Sequence, residues 1–321
     1  MKKALAFDSV IFDIDNVLID TRRSYLEAIR WTVDLYLTSG AVPLFRRSTS
    51  SKSKTPYLIS PADVEAFKML GGFNDDWDCC YGMLCYLLSL RVKTHELSEL
   101  KKQADIPGLA QRIRRRPLRV RGIIEHFGRS SAVTIEKVSR IFQEVYLGSD
   151  LFKSLEKKKP VYWKKRGLIH KEKSLFRKKT LQKLIRLGVR LGIATGRPRF
   201  EASYALRDQG LFNFFSAMTT IDDVKRAELE FRMSLRKPHP FSILETAKKI
   251  GREHRFLYVG DLPDDILAAK GAAKEIAIQA AGLPLCATNP KAAQGELENS
   301  GADFILKKPT DLAKIVIQGK L

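Results

Sequence analysis

The chain has 321 residues, enough for one large domain or two ordinary ones, and 44% of them are hydrophobic, which excludes global disorder. It carries 57 Lys+Arg against 36 Asp+Glu. No apolar run approaches the roughly 20 residues that span a bilayer. The charge is uneven, because residues 110–180 hold 21 Lys/Arg against 6 Asp/Glu. Cys79, Cys80, Cys85 and Cys286 lack metal-type C-x-x-C spacing and suggest no disulfide framework. A reducing, cytoplasmic setting is therefore expected. The apolar stretch after Met1 is interrupted by Asp8, Asp13 and Asp15, so the start of the chain reads as mature protein.

In chain order, Val10-Ile11-Phe12 reads as a buried strand with carboxylates at its C-terminal tip. Helical spacing of Tyr25, Leu26, Ile29, Val33 and Leu37 predicts a helix over 24–37. Residues 45–57 are rich in Ser, Thr and Lys and predict a loop. Ser60, Pro61 and Asp63 are N-cap, first position and first turn of a helix that Gly71-Gly72 stops. Further helices are predicted over 78–90, 135–146 and 174–187. Residues 189–194 then predict a strand ending at Thr195-Gly196, followed by a helix over 199–209. Residues 256–259 predict a strand ending at Gly260-Asp261, with a helix over 264–273 behind it. Residues 276–278 and 304–306 are candidate last strands. Strands alternating with helices imply a parallel α/β sheet, and such sheets hold ligands at the carboxyl ends of their strands. The polar clusters all fall there.

Asp13-Ile14-Asp15 places two carboxylates two residues apart just past a strand. One carboxylate is a competent nucleophile toward phosphorus, and the other can protonate a leaving oxygen and later deprotonate water. Taken alone, D-x-D also fits a turn with two solvated aspartates. Three later features accompany it in order: Thr195 after an apolar strand, Lys237 in Lys-Pro-His-Pro, and Gly260-Asp261 with Asp265 four residues on.

These four motifs together resemble the haloacid dehalogenase superfamily, over residues 10–21 and roughly 180–321. The resemblance implies a Rossmann-like parallel sheet core, residues 1–21 and 180–321, with a mainly helical cap inserted at 22–179. Thr-Gly-Arg-Pro at 195–198 and Lys-Pro-His-Pro at 237–240 are similar to phosphoglycolate phosphatases of subfamily I. By this resemblance Asp13 is the nucleophile and a Mg²⁺ ligand. Asp15 is the general acid/base, its backbone carbonyl also reaching the metal. Thr195 and the Gly196 N–H hold phosphoryl oxygens, and Lys237 neutralises charge between phosphate and Asp13. Asp261 completes the metal site, with Asp265 as ligand or support, although Asp264 beside it is a rival. Asn16 stands where glycine is commonest in the family. Asp15 favours phosphate-ester hydrolysis of a small metabolite, or phosphate transfer between sugar positions, over dehalogenation.

In the insertion, the loop 71–77 contributes glycines, Asn74, Asp75, Asp76 and Trp77, either to a substrate or to a plain helix connection. Arg197 is expected to meet substrate or cap, or a cap carboxylate. The basic runs 112–121, 157–159 and 164–166 admit steering of anionic substrate, nucleic-acid binding with Tyr162 and Trp163 as stacking partners, or a solvated surface. The five histidines are scattered without metal spacing.

Overall fold

The computed structural model describes residues 5–40, 43–47, 56–68, 70–73, 75–113 and 118–320. It divides into two compact units, one of residues 1–21 with 173–321 and the other of residues 22–172. The chain enters through β1 (Ser9–Phe12) and β2 (Ile19–Asp20). It then builds the second unit from α1 (Tyr25–Thr38), α2 (Pro61–Lys68), α3 (Asp76–Ser89), α4 (Leu97–Gln103), α5 (Ile106–Arg112), α6 (Arg119–Phe127) and α7 (Ile135–Glu156). It returns through β3 (Lys173–Ser174), α8 (Lys178–Arg186), β4 (Arg190–Ala194), α9 (Arg199–Asp208), β5 (Ala217–Thr219), α10 (Ile221–Phe231) and α11 (Phe241–Ile250). The last elements are β6 (Phe256–Gly260), α12 (Pro263–Ala272), β7 (Ile278–Gly282), α13 (Pro290–Asn299), β8 (Phe304–Ile305) and α14 (Leu312–Gln318).

The first unit is built on a six-stranded sheet in the order β5-β4-β1-β6-β7-β8, and every pairing in it is parallel. β1 sits between β4 and β6, with Ser9 opposite Arg190 on one side and Phe256 on the other. Its residues alternate between two cores, as the two-residue strand period requires. Val10 and Phe12 join Leu191, Ile193, Leu257 and Val259 on one face, while Ile11 joins Phe256, Tyr258, Ile266 and Ala269 on the other. A strand covered on both faces reads as a continuous apolar run, which is why β1, β4 and β6 were visible in the sequence.

In the second unit α1 packs on α7 and α3. Tyr25 stacks on Tyr146 at 4.4 Å between ring centroids, and Trp31 meets Trp163 edge-on at 5.2 Å. Ser60 and Asp63 cap α2 reciprocally, Asp63 N–H donating to Ser60 Oγ and Ser60 N–H to Asp63 Oδ2. α7 runs past its expected end at 146 to Glu156, across a kink at Gly148. A Cβ at Gly148 would lie 2.1 Å from the Gly167 nitrogen, so that crossing needs glycine.

Several expectations shift. The helix expected over 174–187 begins only at Lys178, because Lys173 and Ser174 pair antiparallel with Asp20 and Ile19. The strand expected over 276–278 is displaced, with Ile278 as its first residue. β5 has only three residues, and α10 is largely exposed, so neither showed a clear periodic signal. The loop expected over 45–57 falls mostly outside the described residues, as do Asn74 and arginines 114–116 of the basic run.

Candidate active site

The end of β1 delivers Asp13, whose N–H donates to the Val259 carbonyl at 2.9 Å. Asp13 is 8% exposed. Behind it the chain turns sharply, with the Ile14 carbonyl accepting from the N–H groups of Leu18 and Ile19, both at 2.9 Å. Asn16 takes the left-handed conformation (φ 54°) in that turn, which asparagine tolerates better than most residues. Its side chain also works. Asn16 Oδ1 accepts from the Thr21 hydroxyl at 2.9 Å, and its side chain favours the ionised form of Asp261 against burial.

β4 delivers Thr195, which is buried, its N–H donating to the Thr219 carbonyl at 3.0 Å. The Thr195 hydroxyl accepts the Arg197 N–H at 3.2 Å, while α9 starts only at Arg199. The hydroxyl therefore shapes the loop instead of capping the helix. A side chain added at Gly196 would meet nothing within 4 Å, so open space lies beside that backbone. Arg197 itself reaches Asp15, with Nε at 2.7 Å and Nη2 at 2.5 Å from the same oxygen, Oδ1.

Lys237 and Asp265 form the centre. Lys237 Nζ donates to the Ala194 carbonyl at 3.0 Å and the Tyr258 hydroxyl at 2.7 Å, and lies 2.8 Å from Asp265 Oδ1. Tyr258 donates in turn to Asp265 Oδ1 at 2.9 Å. Asp265 Oδ2 accepts from the N–H groups of Asp261 and Leu262 at 3.2 and 3.1 Å. This packing requires Gly260, where a Cβ would sit 2.3 Å from that of Asp265. Lys237 Nζ is also 3.3 Å from Asp13 Oδ1, within ion-pair range but not aligned as a hydrogen bond. Asp13 Oδ1 is consequently a buried oxygen with no hydrogen-bond donor.

Electrostatics follow from this crowding. Burial, with Asp265 and Asp15 nearby, pushes Asp13 from an ordinary 3.8 up to about 7 despite Lys237. Burial and the Asp265 and Asp13 carboxylates likewise hold Asp261 well above the usual range. For Lys237 burial opposes the charge, but Asp13 and Asp265 outweigh it and keep the amine firmly protonated. Lys237 thus pairs with two carboxylates while Asp261 lies beside them, and more positive charge would relieve the cluster.

Whether a cation fits can be tested on the donors themselves. One oxygen each of Asp13, Asp261 and Asp265 lies within 4.8 Å of the others. The set is all oxygen, and Asp13, one of its members, carries a buried oxygen lacking a donor, which suits a hard divalent ion such as Mg²⁺. Asp265, already accepting from four groups, is better placed as support than as ligand. Asp264 is not a member of the cluster.

A family model described as haloacid dehalogenase-like hydrolase matches residues 7–273. The chain belongs to that family. Among curated proteins, this haloacid dehalogenase-like hydrolase is 33% identical over 138 residues to a pyrophosphatase PpaX of Bacillus pumilus, covering 43% of this chain and 56% of that protein. It is 32% identical over 141 residues to a phosphoglycolate phosphatase of Photorhabdus laumondii, covering 43% and 53%. The chain thus spans about half the length of the curated relatives it matches. Among solved structures, phosphatase Tt82 from Thermococcus thioreducens aligns over 90% of this chain and 98% of its own, at 22% identity and a TM-score of 0.56. That likeness concerns the fold.

The fold brings all seven expected residues to one end of the parallel sheet. Sequence reasoning missed three partners: Tyr258, the Asn16 side chain, and Asp15 as the target of Arg197. A hydroxyl in the otherwise apolar run Phe256–Gly260 was the one available signal for Tyr258. The Arg197 contact depends on β4 lying beside β1, which no local pattern states.

Proposed function

We infer that this chain is a Mg²⁺-dependent phosphatase that hydrolyses the phosphate monoester of a small metabolite through an aspartyl-phosphate on Asp13. The observation that carries this reading is Asp13 itself, a buried carboxylate whose Oδ1 lacks a hydrogen-bond donor although Lys237 stands 3.3 Å away. A structural aspartate would have its oxygens satisfied. The relatives named pyrophosphatase and phosphoglycolate phosphatase support a phosphorylated substrate.

In this reading an Asp13 oxygen attacks phosphorus, and the bond from phosphorus to the leaving oxygen breaks. Asp15 gives that oxygen its proton. Asp15 then takes a proton from water, whose oxygen attacks the aspartyl-phosphate, releasing inorganic phosphate and restoring Asp13. Thr195 and the Gly196 N–H hold phosphoryl oxygens, and Lys237 offsets the repulsion between anionic nucleophile and anionic substrate. Asp13, Asp261 and the Asp15 carbonyl would hold Mg²⁺, which supplies further charge neutralisation at the phosphoryl group. Asp265 keeps Lys237 and the 261–262 backbone in place. The insertion, by family resemblance, selects the substrate.

The test is Asp13→Asn, assayed with Mg²⁺ over a panel of phosphorylated metabolites. Turnover should fall by at least about 10⁴-fold while circular dichroism is unchanged. Activity at the wild-type level would refute the assignment. Reading the panel for isomers as well as free phosphate separates hydrolysis from transfer between sugar positions.

A further inference from the structure

We propose that Arg197 is the positioning residue for the acid/base carboxylate, fixing Asp15 by one oxygen so that the other is presented to the leaving group. The inference rests on the phosphatase reading above and adds a residue to it.

Arg197 is a guanidinium only 1% exposed. Burying such a charge costs several kcal/mol unless a partner compensates it. Asp15 is such a partner, and its geometry is unusual. Nε at 2.7 Å and Nη2 at 2.5 Å converge on the single oxygen Oδ1 of Asp15, instead of spreading over both oxygens in the parallel fork that arginine–carboxylate pairs commonly adopt. Asp15 Oδ2 receives no hydrogen bond among the described residues, and the Asp15 side chain keeps 32% of its surface exposed. One half of the carboxyl group is therefore gripped and the other half is open.

The grip is anchored on its own side. Arg197 N–H donates to the Thr195 hydroxyl at 3.2 Å, and its carbonyl accepts from Ile221 N–H at 3.2 Å. The loop expected to hold the phosphoryl group therefore also fixes the arm that orients Asp15. Without that arm, Asp15 lies on a turn with its side-chain torsions free. A proton donor displaced by about 1 Å loses on the order of 10²-fold in rate.

A general acid matters in proportion to the leaving group's need for a proton, and this separates positioning from structural support or direct phosphoryl binding. The quantity to measure is kcat/KM, which covers steps through departure of the leaving group and excludes later hydrolysis of the phosphoenzyme. Two substrates serve: a primary alkyl phosphate, whose alkoxide must be protonated, and p-nitrophenyl phosphate, whose nitrophenolate leaves without a proton. For Arg197→Met the alkyl substrate should lose about 10²-fold and the nitrophenyl substrate no more than about threefold. Asp15→Asn should show the same selectivity, larger. Arg197→Lys keeps the buried charge but cannot place two nitrogens on one oxygen. It should lose about tenfold on the alkyl substrate alone, and it decides the matter should the methionine variant fail to fold.

Equal losses on both substrates, or no loss on either, in a folded Arg197 variant would overturn the proposal. If Asp13→Asn is inactive while Arg197 variants show no leaving-group selectivity, this inference falls and the phosphatase reading stands. If Asp13→Asn remains active, the reading itself falls and takes the inference with it.

Discussion

Two buried carboxylates of this chain, Glu144 in the insertion and Asp13 in the sheet unit, are treated in opposite ways. In the insertion, Glu144 is fully buried and accepts from the N–H groups of Val161 at 2.8 Å, Tyr162 at 2.5 Å and Trp163 at 3.1 Å, with Arg140 Nε also at 3.1 Å. Asp34, equally buried, accepts from the Tyr57 and Leu58 N–H groups at 2.7 and 3.0 Å and pairs with Arg47. Burial raises the Asp34 pKa, and those donors pull against it. Glu172 takes hydrogen bonds from Ser24 at 2.7 Å and Tyr146 at 3.1 Å. These groups pin loops to helices. In the sheet unit Asp13 is buried too, yet one of its oxygens lacks a donor. A carboxylate there is left electrostatically hungry, and that hunger is what a cation or a phosphoryl group can satisfy.

Four experiments would break or sharpen the contrast. The largest effect is expected for Lys237→Met, which removes the cation paired with Asp13 and Asp265. Its loss should lower turnover about 10³-fold, near 4 kcal/mol of transition-state stabilisation, measured on the substrate that the phosphatase screen identifies. A variant as active as wild type would show that the lysine only balances charge in the resting protein.

Next comes Glu144→Ala in the insertion. Three backbone N–H groups lose their acceptor, and urea unfolding should show about 3 kcal/mol of lost stability. The core carboxylates should be untouched. Unchanged stability would mean that the loop anchored at 161–163 contributes nothing to the fold.

Asp13→Asn should act the other way and stabilise the metal-free protein. The fold raises Asp13 from 3.8 to about 7, so the protonated form is the one it favours. Below the unfolded value both states hold the proton and no penalty exists. As pH rises through about 7 the folded carboxylate ionises and the penalty is fully expressed. The variant should therefore gain about 2 kcal/mol over wild type near pH 8 and almost nothing near pH 4, with Mg²⁺ narrowing the gap at pH 8. A destabilised variant at pH 8 would place Asp13 with Glu144 and Asp34 as a structural carboxylate.

The smallest effect belongs to Asn16→Gly. Glycine adopts φ 54° without strain, so the melting temperature should fall by only the few degrees that losing the Thr21 hydrogen bond costs. The amide that favours ionised Asp261 is lost, and the Mg²⁺ concentration for half-maximal activity should rise about tenfold. An unchanged requirement would leave Asn16 as a turn residue only.

The contrast also explains what the sequence could disclose. β1, β4 and β6 were legible because strands covered on both faces are continuous apolar runs, and each ends at a polar cluster. β5 with three residues and the two-residue β2 and β3 are too short to set up a period. The start of α8 was misplaced for the same reason, since Lys173 and Ser174 are held by β2 and not by any local preference. At the candidate site, the residues that the fold gathers at the strand ends, Asp13, Asp15, Thr195, Lys237, Asp261 and Asp265, could be singled out by type, order and spacing, and their roles remain those proposed above.

The sequence by itself determined the α/β class, the strand ends on which the site stands, and the residue types able to carry phosphoryl chemistry, because these follow from hydrophobic period and motif. Only the tertiary structure decided how the carboxylates differ. Strand order put β4 beside β1 and so gave Arg197 to Asp15, and the close approach allowed by Gly260 committed Asp265 to Lys237, Tyr258 and two backbone amides. Asp13 was left with an oxygen that has no donor. Hydrogen-bond satisfaction is a property of neighbours in space, and neighbours more than 170 residues apart in the chain are set by the fold.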